Sequence, residues 1–236
     1  MSLLTMVQNA TDALGIPRPS AVVGSSDQQI KQILSIANIA GKSLARKYRW
    51  SALVKEFTHT TTAAEDQGAV TSVIGSDFDY LISSTIYNRS LQDFIGGPLS
   101  PRQWQMLKSS AVTGPYPDFR IRGGKFLMIP TPQASKTLAG EYYSKNWCQS
   151  SSGTGQAAWA ADADTGVLSE DLMELGLVWR WLRSKGFDYS EEFRTYEAEV
   201  NQAYGRDGGG RRTQSLDVRL ESPVTDVSVP EGSWNL

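Results

Sequence analysis

Reactive side chains are scarce in this chain. Its 236 residues include one cysteine, Cys148, and one histidine, His59. A lone cysteine closes no intrachain disulfide and frames no metal site, and it fits a protein made in a reducing cytoplasm. A single histidine leaves a Ser-His-Asp or Cys-His device only one residue to use, and His59 sits in a Thr-rich run that reads as a strand face. Charge of one sign is also lacking. Lys plus Arg number 23 against 25 Asp plus Glu, for a net charge of -2, which gives no basis for a general nucleic-acid or membrane-surface binder. Only a local cluster such as Arg206, Arg211 and Arg212 could meet a phosphate. No apolar run approaches the ~20 residues that span a bilayer. Met1 to Gly15 reads as an amphipathic helix, with neither the charged start nor the cleavage region of a signal segment. Walker loops, dinucleotide fingerprints and zinc spacings are missing too, and Gly205 to Gly210 follows a helix where a phosphate loop must precede one.

What the chain does have is periodicity. From Ser26 to Trp50, Ile30, Ile33, Leu34, Ala37, Ala40, Gly41, Leu44 and Tyr48 recur at helical spacing and form one stripe. Ser26 or Asp27 serves as N-cap, and Lys42, Arg46, Lys47 and Arg49 crowd the carbonyl end, where cations complement the dipole. Ile36 and Ile39 fall off this stripe, and in a later helix Trp181 faces away from Leu172. Helices with a second apolar side are either central in a bundle or lie where one subunit meets the next. The three residues Ile36, Ile39 and Trp181 are therefore expected in interhelix or subunit contacts.

In chain order, Ser2 caps a first helix with Leu3, Met6, Val7, Ala10 and Leu14 on one face, ended by Gly15, Ile16 and Pro17. From Ala52 the period becomes two. Leu53 to Thr62, Tyr80 to Asn88 and Thr137 to Trp147 read as strands. Phe119 to Arg122 and Lys125 to Ile129 form a hairpin across Gly123-Gly124. Ser100-Pro101 opens a short helix through Trp104 and Leu107. Cys148 to Gly166, rich in Ser, Gly and Ala, reads as an irregular loop. Ser169 then caps a helix with Leu172, Leu175, Gly176, Trp179 and Leu182 as its stripe, and Ser190 caps the last, with Phe193, Tyr196, Val200, Ala203 and Tyr204. Gly205 ends it, and Arg206 to Gly210 reads as a hinge. Arg211 to Leu236 has no compact core of its own.

The expected architecture is α+β: residues 1–51 and 167–206 form a helical bundle, 52–148 an inserted antiparallel β domain, 149–166 a loop and 207–236 a C-terminal arm. In the arm, Leu216, Val218 and Leu220 alternate with charged residues, and Val227, Val229, Trp234 and Leu236 follow. That pattern suits a strand added to another chain. Trp159, in the loop, and Trp234 are expected to contact another chain.

Asp77 with Asp79 and Asp162 with Asp164 are the best carboxylate pairs. Asp162 to Gly166 has a calcium-loop flavour, spoiled by Gly166 and by Met173 where ligands belong. Turn and helix-approach roles explain it better. Cys148 has no helix start behind it to lower its pKa and is expected to be inert. The residues thus leave three classes open: a structural assembly protein, a hydrolase such as a cell-wall glycosidase using paired carboxylates, and a monomeric binding module using the β domain.

Four strings, taken together, carry a resemblance: Gly97 to Trp104 (GPLSPRQW), Phe119 to Lys125 (FRIRGGK), Glu141 to Trp147 (EYYSKNW) and Gly176 to Leu182 (GLVWRWL). The chain resembles the head-to-tail adaptor, or connector, proteins of tailed phages, of the tail tubular protein A type, from its first helices to the Gly-rich segment. The resemblance implies a helical bundle with an inserted β domain, assembled as a twelvefold homo-oligomeric ring beneath the portal protein. It implies a DNA channel through which genomic DNA passes without sequence-specific binding, and a platform for a tail or nozzle protein. The place implied is the head-tail junction of the virion, after synthesis in the bacterial host cytoplasm. No enzymatic role, cofactor, metal or membrane is implied. By this likeness the helices build the ring, the β domain faces the tail and the arm meets the portal; the segment after Gly210 carries none of the family's pattern.

Overall fold

Ser2 starts the first helix as expected: its Oγ accepts the Thr5 N–H at 3.3 Å, opening α1 (Leu3–Ala13), and Gly15 follows at φ +67°. This computed structural model describes residues 1–82, 84–110, 114 and 116–209. Asp27 opens α2 (Gln28–Lys47) by accepting the Gln29 N–H at 2.8 Å. A 3-10 turn, Ser51–Leu53, leads into β1 (Val54–Thr60). The next stretch, for which the sequence pattern is silent, holds β2 (Asp66–Ala69) and the single-turn α3 (Val70–Val73).

The strand expected over Tyr80 to Asn88 is two strands, β3 (Phe78–Leu81) and β4 (Tyr87–Asn88). Ser84 stands between them at φ +64°, a left-handed backbone that no continuous strand allows. After β5 (Asp93–Phe94) comes α4 (Pro101–Ser109), opened by a complete capping box in which Ser100 and Gln103 satisfy each other's N–H groups. The hairpin β6 (Asp118–Arg122) and β7 (Lys125–Ile129) turns through Gly123 and Gly124, both at positive φ. Next is β8 (Thr137–Ser144). Three two-residue strands then lie where an irregular loop is expected: β9 (Cys148–Gln149), β10 (Gly155–Gln156) and β11 (Thr165–Gly166). Two helices follow, α5 (Glu170–Lys185) and α6 (Ser190–Tyr204), and a π-type turn over Gly205–Gly209.

The fold is mixed helix and antiparallel sheet, α+β in class. β8 is the spine of the largest sheet. It pairs with β1 from Val54↔Tyr143 to Thr60↔Thr137 and on its other side with β3 and β4. A second sheet runs β2-β7-β6 and a small third one β10-β9-β11. Two main hydrophobic clusters follow this division. One gathers the helices with Trp50, Trp147 and Trp159; the other gathers Phe57, Ile86, Phe119, Phe126, Leu138 and Tyr142 from the sheets.

Several expectations are corrected here. Of the helices, α5 is the one packed against α1, α2 and α6 alike. Trp159 is 5% exposed, edge-on to Trp147 at 5.2 Å, with its backbone N–H on Asn38 Oδ1 at 2.9 Å. A loop residue can be core when the loop lies down on a helix. Ser190 does not cap α6; its N–H and hydroxyl both go to Asp188. Gly205 closes α6 as expected, but Arg206 to Gly209 is not a hinge: it continues as a π-type turn in which Asp207 accepts the Ser51 N–H at 2.7 Å. Only Gly208, at φ +89°, leaves helical geometry there.

A candidate interaction surface on the helices

From Gln28 to Trp50 there is not one acidic residue, while Lys31, Lys42, Arg46, Lys47 and Arg49 all carry positive charge. Helical spacing sends the apolar stripe of α2 inward to α5, where Gly176 lets the two backbones close. A Cβ at Gly176 would stand 3.4 Å from the Ala40 Cβ and 3.1 Å from Arg180. Ile36 on α2 and Trp181 on α5 are both buried in the helical cluster, 8% and 3% exposed. The single chain covers both, so neither has surface to give a subunit contact; interhelix packing accounts for them. Ile39 differs. It is 54% exposed, a branched apolar side chain standing among Lys42, Ser43 and Arg46.

Ile39 borders a groove of about 640 Å³ between α2 and α6, floored by α5. Its apolar lining is Trp179, Phe193 and Tyr196. Phe193 meets Trp179 edge-on at 5.1 Å. The Arg180 guanidinium carbon stands over Trp179, 4.3 Å from the ring centroid, and the side chain donates to the Gly176 carbonyl at 2.8 Å. Burial pushes the Arg180 pKa down, opposed by Tyr196 beside it. Lys47 is ion-paired with Glu197 across the groove. Lys42 and Arg46 are exposed and have no ion-pair partner among the described residues. The groove therefore offers an aromatic floor with two uncommitted cations at one rim. Such a surface can hold apolar side chains flanked by carboxylates.

The other candidate residues are drawn into structural ties. Asp77 accepts from Lys55 Nζ at 2.6 Å, from Tyr142 Oη at 2.7 Å and from Ser144 Oγ at 2.7 Å. Burial works against its ionisation, but the three donors outweigh it and hold Asp77 at about 2. Burial and the same hydrogen bond push Tyr142 up. Asp79 is exposed and not part of this network. Asp162 accepts the Val22 N–H and the Val23 N–H, the latter at 2.7 Å, and Asp164 accepts the N–H groups of Ala160 and Ala161. Backbone carbonyls of the same two residues receive Leu4 N–H and Leu3 N–H. The pair thus pins the 158–166 segment to the start of α1 and to the α1–α2 connector.

Burial lowers the His59 pKa, partly offset by Gln67. Cys148 is fully buried, and burial with the Asp164 charge pushes its thiol up to about 12. Among the described residues, no three His, Cys, Asp or Glu side chains are placed to hold a metal, and no helix is long and apolar enough to cross a membrane. The arm residues Leu216, Val218, Leu220, Val227, Val229, Trp234 and Leu236 lie outside the described residues, as do Arg211 and Arg212.

Trp179, Phe193 and Tyr196 read from periodicity as stripe residues facing inward, and the groove they border is invisible to that pattern. The missing acids of α2 were the available signal. No known protein-family model matches the chain, and no curated protein matches its sequence.

Proposed function

We propose that this chain is a structural virion protein, a head-to-tail adaptor that assembles into a ring, binds the portal, extends the DNA channel and gives the tail its platform. In this reading both ends of the chain form the helical bundle, residues 52–148 are an inserted β domain and the last residues are an extended arm. The observation that carries it is Ile39 in its groove. A protein that acted alone would gain roughly 1.5–3 kcal/mol by burying such a side chain, and the described residues leave it open beside Lys42 and Arg46, which have no ion-pair partner among them. The family resemblance supplies the kind of assembly. Support for a tail-side contact comes from the far sheet, where Tyr87 and Phe94 are exposed and meet edge-on at 5.4 Å. The role is proposed as non-enzymatic, since Asp77, Asp162 and Asp164 are spent on the chain's own donors. No cofactor or metal enters this reading.

The test is assembly. Purified protein is mixed with portal-bearing heads, and bound mass is read by sedimentation with the particles imaged. Rings at the portal vertex are expected for the native chain and not for Ile39→Asp. Peptidoglycan turnover by the native chain, lost in Asp77→Asn, would instead place the function in hydrolysis.

A further inference from the structure

We infer that, before assembly, the groove between α2, α5 and α6 is occupied by residues 221–236 of the same chain; the inference rests on the adaptor reading above. Charge is the first argument. Between Glu221 and Leu236 the sequence has three acids, Glu221, Asp226 and Glu231, and no Lys or Arg. The groove rim supplies Lys42 and Arg46, free of ion pairs among the described residues. Apolar matching is the second. Val224, Val227, Val229, Trp234 and Leu236 alternate with those acids, and the floor to receive them is Trp179, Phe193 and Tyr196.

The route is the third argument. Asp207 bound to Ser51 fixes where α6 and its π-type turn end, so the chain leaves Gly209 at a known place. Returning along α6 to Phe193 takes about 24 Å at 1.5 Å per residue. Residues 210–220 span up to roughly 36 Å extended, enough to make that return. This connecting stretch carries Arg211, Arg212 and Arg219 against Asp217, and the α6 that it would follow has four acids, Glu191, Glu192, Glu197 and Glu199, against the single Arg194, which pairs with Glu191. Basic chain thus runs over an acidic helix and acidic chain enters a basic groove. One contact then withholds two surfaces. While the arm lies in the groove, Ile39 is closed to a neighbouring copy and Trp234 is closed to the portal. Engagement of the arm elsewhere frees both together, shifting the population toward the assembly-competent form.

The experiment uses the full chain with the photo-crosslinking residue p-benzoylphenylalanine at position 39, where exposure leaves the fold undisturbed, and the same residue at Tyr116 as a control. Dilute protein is irradiated, and the product is sized and digested for mass spectrometry. A single-chain product joining position 39 to a peptide from 221–236 is expected, with no such link from position 116. Lys42→Glu with Arg46→Glu should lower its yield roughly tenfold or more. Changing Glu221, Asp226 and Glu231 to Lys in that double variant should restore it. Links from position 39 only to a second copy would overturn the inference while leaving the adaptor reading standing. Links that reach 221–236 but ignore charge reversal, or no link at all, would also overturn it. Failure of the native chain to join portal-bearing heads would count against the adaptor reading instead.

Discussion

A Cβ added at Gly41 would stand 2.2 Å from the Trp147 ring, inside any contact real atoms make. The glycine lets an indole lie directly on the α2 backbone, and Trp147 turns the chain from the large sheet back to the helices. Gly41→Ala is therefore expected to cost about 1–3 kcal/mol through overpacking, although alanine is the better helix former; urea unfolding measures it. Asp77 gives a second expectation. Its carboxylate sits at about 2, below the ordinary 3.8, so its contribution to stability is full above pH 4 and drains away as pH falls through 2. Asp77→Asn should lose roughly 1.5–3 kcal/mol at pH 7 and show a flatter acid limb between pH 4 and 2. A slope identical to the native chain's would mean that Lys55, Tyr142 and Ser144 do not act through the charge. Cys148, pushed up to about 12 and fully buried, should react with a thiol reagent at pH 8 only after unfolding.

At the scale of elements, α2 shows which part of a helix a sequence can state. Its existence and its inward stripe are local matters of spacing and are read directly, while its cap, left between Ser26 and Asp27, is settled at Asp27 and its last turn closes at Lys47. Whether Ile36 or Ile39 is covered depends on what arrives from more than a hundred residues away, and periodicity holds no record of that. The helical cluster takes in Ile36 and leaves Ile39 open. The same blindness hid Trp159, since nothing in Ala157 to Ala160 foretells that Asn38 will hold the segment by its side-chain oxygen. The hairpin at Gly123-Gly124 was legible because its turn chemistry is written in two adjacent residues. The broken strand at Ser84 was not, because serine seldom adopts that backbone and nothing marks it in advance. These differences separate two substitutions. Trp181→Ala should cost about 3–5 kcal/mol of folding stability, whereas Ile39→Asp should stay within about 0.5 kcal/mol yet lose assembly. Thermal denaturation read beside sedimentation distinguishes them, and unfolding of Ile39→Asp would return that residue to the core.

For the whole molecule, the described core closes without the last residues: Val200, Tyr204 and the Asp207–Ser51 tie complete the helical cluster before Gly209. A chain ending at Gly209 is expected to keep its native circular dichroism and melting temperature, within a few degrees, and to fail to join portal-bearing heads. Normal joining would remove the arm from the proposed function. In the full chain, Trp234→Ala should weaken joining and move the melting temperature by no more than a few degrees, while Trp159→Ala should lower that temperature further, since Trp159 is buried against Trp147.

The register between β1 and β8 bears on how such a chain finds its form. Val54 lies opposite Tyr143 and Thr60 opposite Thr137, so the long excursion from the end of α2 returns to within one strand spacing of where it departed. Once those two strands zip, α2 and α5 are separated by a short effective loop instead of more than a hundred free residues, and the entropy of bringing them together shrinks accordingly. The sheet can thus act as a clasp that makes two remote helices near neighbours. The clasp is itself held from within the excursion, since Phe57, Leu138 and Tyr142 cluster with Ile86, Phe119 and Phe126, all supplied between Thr60 and Thr137. A tight two-residue turn grafted across that pair would strip these partners from β1 and β8, so the clasp and the excursion it closes stand or fall together.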